Sequence, residues 1–224
     1  MIFPVGDENV IGGAKPYVTY TFIGLNVLVF LYSISLGNNI GEFYQAYATI
    51  PFQIMEGNGW MSLLTNIFLH GGLMHIAGNM LFLWIFSDNV EAVLGNIWFI
   101  LFYLAGGIFA SLAHVAFNQS SMIPSLGASG ALSAVMGAYL VFFPQSKIKV
   151  LVIYIFRNVY ISALYFLGLW FIFQIISSLW ASNDPNSPGT AWWAHIGGFV
   201  FGLVVALVLK KPRIIEPKFF YKRT

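Results

Sequence analysis

Long apolar runs separated by short polar stretches dominate the chain. They fall at about 17–36, 73–88, 96–117, 129–143, 160–181 and 192–210. These runs stay apolar on every side, as expected of helices surrounded by lipid or by other apolar helices. A helix of ~20 apolar residues crosses the ~30 Å hydrocarbon core of a bilayer, so the pattern predicts six spans. The fourth run, LGASGALSAVMGAYLVFF, stops before Pro144. It is short, and its helix is expected to begin below the membrane surface. Segment 147–159, KIKVLVIYIFRNV, is apolar but interrupted by charge, and an interfacial connection is expected there. A membrane barrel would need alternating segments closed on themselves, and the continuous runs argue against one.

Composition supports the same solvent. Of 224 residues, 58% are hydrophobic and 8% charged, against about 25% charged in soluble domains. The net charge of +2 is too small to point to nucleic acid. There is no cysteine, which removes thiol nucleophiles and cysteine-ligated metals together. The start, MIFPVGDENV, lacks the basic and apolar regions of a cleavable signal peptide.

Charge placement sets the orientation. Lys15 precedes the first span, and Lys147, Lys149 and Arg157 lie between the fourth and fifth. Lys210, Lys211, Arg213, Lys218, Lys222 and Arg223 follow the sixth. The loops after spans one, three and five carry no basic residue. Cytoplasmic loops hold the excess of Lys and Arg, so both termini are expected inside. The expected organisation is a cytoplasmic segment 1–16, a six-helix domain 17–210 and a basic tail 211–224. The tail also suits attraction to anionic membrane lipids.

In this orientation spans two, four and six start in the outer half of the membrane. Span two has His75 and Asn79 near its start, span four opens at Ser129, and span six carries His195 just after Trp192 and Trp193. Polar groups inside a membrane are costly and usually face the bundle interior or a water-filled cavity. These residue types suit acyl transfer. A serine hydroxyl needs a base, and neutral imidazole is the usual one. The developing oxyanion needs donors aimed at it, and an Asn amide, a His ring or backbone N–H groups near Ser129 can serve. The start of a helix also favours negative charge. Spans four and six contain no carboxylate, so the pair would work as a dyad. Gly127 and Gly130 flank the serine and permit close backbone approach. Gly198 and Gly202 form GxxxG on the helix of His195, a spacing that lets membrane helices pack tightly. Ala131, Ser133, Ala134, Gly137 and Ala138 offer a matching surface.

GASG at 127–130, HGGLMHIAGN at 70–79 and AHIGGFVFG at 194–202 resemble the rhomboid proteases. The resemblance includes FPVGDEN near the start and FSDNVEAVLG at 86–95. It implies an all-α, polytopic, six-helix bundle of bacterial type, set in an inner membrane. It implies Ser129 as nucleophile and His195 as base. His75, Asn79 and the backbone around Gly127 would bind the oxyanion. Substrates would be transmembrane segments of other proteins, cut near their outer ends, with no metal or organic cofactor. Two positions depart from the pattern. Ser133 stands where some members place an aromatic residue against the histidine. The first loop, about 37–69, has no arginine, so its anchoring is expected to rest on aromatics such as Phe43, Tyr44, Tyr47 and Trp60.

Other readings carry less. Each polar residue alone could be a helix-terminal or interhelical hydrogen-bonding group. A metal site from His70, His75, His114 and His195 is conceivable, but no HExxH helix or nearby carboxylate supports it. His70 is read as stabilising the first loop and His114 as a packing residue. A non-catalytic protein that binds transmembrane segments would have lost the serine or histidine. A transporter would usually show internal repeats. Stretch 118–130 is expected to line water access, and 180–191 to act as a movable cap.

Overall fold

The computed structural model describes residues 2–8, 14–155, 157–181 and 190–209. Strand β1 (Ile2–Gly6) precedes α1 (Tyr17–Ser35). The first loop holds the short helices α2 (Ile40–Tyr47), α3 (Pro51–Met55) and α4 (Ser62–Thr65). Then follow α5 (Leu73–Leu94), α6 (Asn96–Phe117), α7 (Ser129–Phe142), strands β2 (Lys147–Val152) and β3 (Arg157–Ser162), α8 (Ala163–Ala181) and α9 (Trp192–Leu209). Residues 182–189 of the expected cap 180–191 and the basic tail 211–224 lie outside the described residues.

This is a multi-pass, essentially all-α membrane bundle. Helices α1, α6, α8 and α9 are each long and apolar enough to cross a membrane. Residues Ser62–Phe68 and α5 pass the same test together, with a 91° bend between them. Helix α7 has 14 residues, or about 21 Å at 1.5 Å per residue, and is shorter than the ~30 Å hydrocarbon core. It sits in the middle of the bundle, and nearly every side chain from Gly130 to Tyr139 is buried. Phe143, just before Pro144, leaves the helical conformation, as steric clash with a following proline ring favours.

The helix limits agree with the expected spans at α1, α6, α7 and α9. Helix α5 runs further, to Leu94, and the acidic residue near its end is satisfied inside the protein. Buried Glu91 accepts hydrogen bonds from the N–H groups of Val18 (2.9 Å) and Thr19 (2.8 Å) and from the Thr19 hydroxyl (2.7 Å). A carboxylate from α5 thereby caps the N-terminus of α1, where free N–H groups and the helix dipole favour negative charge. Gly95, at φ +83°, then turns the chain directly into α6. Little besides glycine adopts that conformation without strain.

The connection at 147–159 is a β-hairpin, and the N-terminal segment joins it. β1, β2 and β3 form one antiparallel sheet in that order, with Pro4 opposite Val150 and Lys147 opposite Ser162. The sheet lies at the end of the bundle opposite Ser129. Partly buried Asp7 fastens it, with its Oδ2 accepting from Tyr139 Oη (2.5 Å) and Asn89 Nδ2 (2.6 Å). Burial pushes the Asp7 carboxyl up to about 8, against the pull of the Tyr139 bond and with help from the charge of Asp88. The folded carboxyl therefore holds its proton more tightly than the unfolded one, whose ordinary value is near 4. Its contribution is complete below about pH 4 and is lost as pH rises through about 8. Protection of the β1 amides from exchange, relative to their intrinsic rates, is expected to fall across that window, and Asp7→Asn to flatten the dependence. An unchanged pH dependence in Asp7→Asn would count against this assignment.

Candidate active site

Helices α7 and α9 touch backbone to backbone. A Cβ added at Gly198 would collide with the Gly130 carbonyl oxygen, and one at Gly202 with the Ala134 carbonyl oxygen. On the facing side, a Cβ at Gly137 would meet the Phe199 carbonyl. This approach carries His195, one turn before Gly198, over the first residue of α7. His195 Nε2 lies 2.8 Å from Ser129 Oγ. The imidazole is buried, whereas Ser129 is half-buried.

The other face of the imidazole is held by α8. His195 Nδ1 is 2.8 Å from Gln174 Oε1. The Trp170 ring lies 5.9 Å from the imidazole, tilted by 35°, and the Trp192 ring 6.3 Å away, edge-on. The aromatic support missing at Ser133 thus comes from a different helix. Ser133 itself donates to the Ser129 carbonyl at 2.7 Å.

His75 and Asn79 lie one turn apart at the start of α5 and share a face. His75 is exposed, and its Nδ1 accepts from the Gly71 N–H at 3.4 Å, leaving the proton on Nε2. That Nε2 sits 2.8 Å from the point where a Gly127 Cβ would be, and Ser129 Oγ sits 3.7 Å from the same point. Gly127, at φ +132°, therefore leaves space where His75 and Ser129 converge. Its own N–H is committed elsewhere, donating to the Asn66 carbonyl at 3.0 Å. Asn79 is buried, and its Nδ2 has no hydrogen-bond partner among the described residues.

Asn66 ties the surroundings together. Its amide donates to Ser111 of α6 (2.8 Å) and to Thr49 of the first loop. Thr49 and Ser125 exchange backbone hydrogen bonds, which stitches the loop before α7 onto the first loop. A cavity of about 20 Å³ beside Ser129 is lined by Asn66, Ser111, Ser125 and Ala191, a size that suits one water molecule. The Phe43 ring packs on Tyr32, Tyr44 and Tyr47, and Tyr44 donates to the buried His70's carbonyl. Trp60 is exposed, and its ring N–H donates to the Gly57 carbonyl within the same turn. His114 lies 3.3 Å from the Asn118 amide.

Residues 57–212 match the model of the Rhomboid domain family. The chain belongs to the rhomboid family. It is 35% identical over 208 residues to Rhomboid protease GluP of Bacillus subtilis (strain 168), covering 92% of this chain and 38% of that protein. It is 28% identical over 210 residues to Rhomboid protein 1, mitochondrial, of Saccharomyces cerevisiae, covering 87% and 54%. RHOMBOID-like protein 6, mitochondrial, of Arabidopsis thaliana is 32% identical over 158 residues, covering 70% and 46%. The chain thus spans about half or less of the length of these rhomboid relatives.

Two members of the rhomboid site escape a motif search. Asn66 precedes HGG in an otherwise apolar stretch. Gln174 is the sole amide or charged residue between Ala163 and Ala181. Its position in a membrane helix is a visible signal, because a polar group there must find a partner.

Proposed function

We propose that this rhomboid is an intramembrane serine endopeptidase that cleaves transmembrane segments near their extracytoplasmic ends, with Ser129 and His195 as its dyad. The 2.8 Å approach of His195 Nε2 to Ser129 Oγ, at the half-buried start of α7, carries the reading. Ser129 Oγ attacks the scissile carbonyl carbon while His195 Nε2 takes the hydroxyl proton. Negative charge then develops on the carbonyl oxygen. The His75 Nε2–H, the Asn79 amide and the first N–H groups of α7 hold it in this reading. As the peptide C–N bond breaks, the imidazolium returns its proton to the leaving amine. Water, activated by the same imidazole, releases the acyl group from Ser129. The cavity bounded by Asn66 and Ser111, beside Ser129, can hold that water.

The same reading places both termini on the side that holds the basic residues, with Ser129 reached from the opposite side. A bacterial inner membrane fits the likeness to the Bacillus protein, although the yeast and Arabidopsis relatives are mitochondrial by name.

Reaction of the bilayer-reconstituted protein with a fluorophosphonate tests the proposal. The label is expected on Ser129 by mass spectrometry, and cleavage of a synthetic transmembrane substrate should stop as labelling completes. Cleavage that survives full labelling of Ser129 would overturn it.

A further inference from the structure

Resting on the dyad reading, we infer that Gln174 is the positioning residue of the base, taking the place that a carboxylate fills in a serine–histidine–aspartate triad. Gln174 is 3% exposed, and its Nε2 donates to the Trp170 carbonyl at 3.4 Å. A backbone carbonyl can only accept, so the amide nitrogen must face it and Oε1 must face His195. An amide oxygen likewise only accepts. At 2.8 Å, His195 Nδ1 therefore carries the hydrogen. A neutral imidazole with its proton on Nδ1 has a bare Nε2, the atom 2.8 Å from Ser129 Oγ. One buried amide thus selects the tautomer that can accept the serine proton, and Trp170 beneath it limits rotation of the ring.

The choice of an amide follows from the solvent. A carboxylate on α8 would be an ion within a lipid-facing helix, where charge is expensive. Glutamine supplies the same acceptor without charge. It stays bonded to Nδ1–H when the ring becomes imidazolium, so no partner has to reorganise during turnover. Gln174 lies on the α8 stripe that includes Leu167 and Ser178, both buried. Phe171 of the same helix stacks on Phe199 of α9 at 4.4 Å. The register of α8 against α9 therefore sets the position of the amide oxygen.

The test compares Gln174→Leu and Gln174→Glu with the parent protein in bilayers, using a synthetic transmembrane substrate. Gln174→Leu removes the acceptor at similar volume. It is expected to lower kcat about 10- to 100-fold, the usual size for loss of a ring-orienting hydrogen bond, with KM within about twofold. Gln174→Glu keeps an oxygen at the position and is expected to recover most of that loss. In ¹⁵N spectra of histidine-labelled protein, His195 should carry its proton on Nδ1 in the parent and lose that preference in Gln174→Leu. A parent ring protonated on Nε2, or parental kcat in Gln174→Leu, overturns the inference. If Gln174→Leu fails to fold, the parent spectrum and Gln174→Glu decide, since Gln174→Glu less active than the parent by more than about 100-fold also overturns it. Cleavage retained in Ser129→Ala would instead sink the dyad reading beneath it.

Discussion

Ser129→Ala and His195→Ala are each expected to lower cleavage of a transmembrane substrate by about a thousandfold or more, and the double variant should lose no more than the worse single one. The reason is geometric. The hydroxyl is a poor nucleophile without a base, and His195 Nε2 lies 2.8 Å from it. Residues acting as one unit give strongly non-additive losses, and what survives comes from the oxyanion donors and substrate binding. Single-turnover rates of the three variants, measured with folded protein in the same lipid, check this. Losses that multiply in the double variant would mean that the two residues act separately.

Gly202→Val should lower kcat about a hundredfold or more while leaving both catalytic side chains in the chain. A single added carbon at Gly202 already overlaps the Ala134 carbonyl oxygen, and that atom belongs to the backbone of a packed helix. It cannot rotate aside, so α9 must retreat from α7. His195 then moves away from Ser129, and a misplacement of about 1 Å costs on the order of 100-fold in rate. Overpacking should also destabilise the fold by about 1–3 kcal/mol. Gly24→Val on α1 is the control, because nothing lies within 4 Å of its added Cβ; activity there should stay within about twofold. Comparable losses in both variants would point to general damage from valine rather than to the α7–α9 contact.

The bundle could be read from the chain because hydrophobic length is a one-dimensional property. Apolar runs locate the long helices without any knowledge of packing. The polar residues at the starts of spans two, four and six were visible for the same reason. What stayed hidden depends on pairing across long separations. Glu91 looks like a reason to end a helix until α1 supplies its N–H groups, 72 and 73 residues away. The sheet was missed because β2 and β3 read as one charged apolar stretch and β1 is five residues long. Gly127 was expected to offer its N–H to the oxyanion, but only the fold places Asn66 where it takes that donor. Gln174 stood in plain view as a lone amide, yet its partner lies 21 residues on and faces it only once α8 and α9 pack.

The pairing of Pro4 with Val150 also orders events during biosynthesis. At about 5–20 residues per second, the ribosome needs on the order of 10–30 s between making those two positions. The strand that emerges first must wait, unpaired, while α1 to α7 and the start of the hairpin are made. Closure of the sheet is therefore a late checkpoint, and the Asp7 bond to Tyr139 can form only after α7 has been threaded into place.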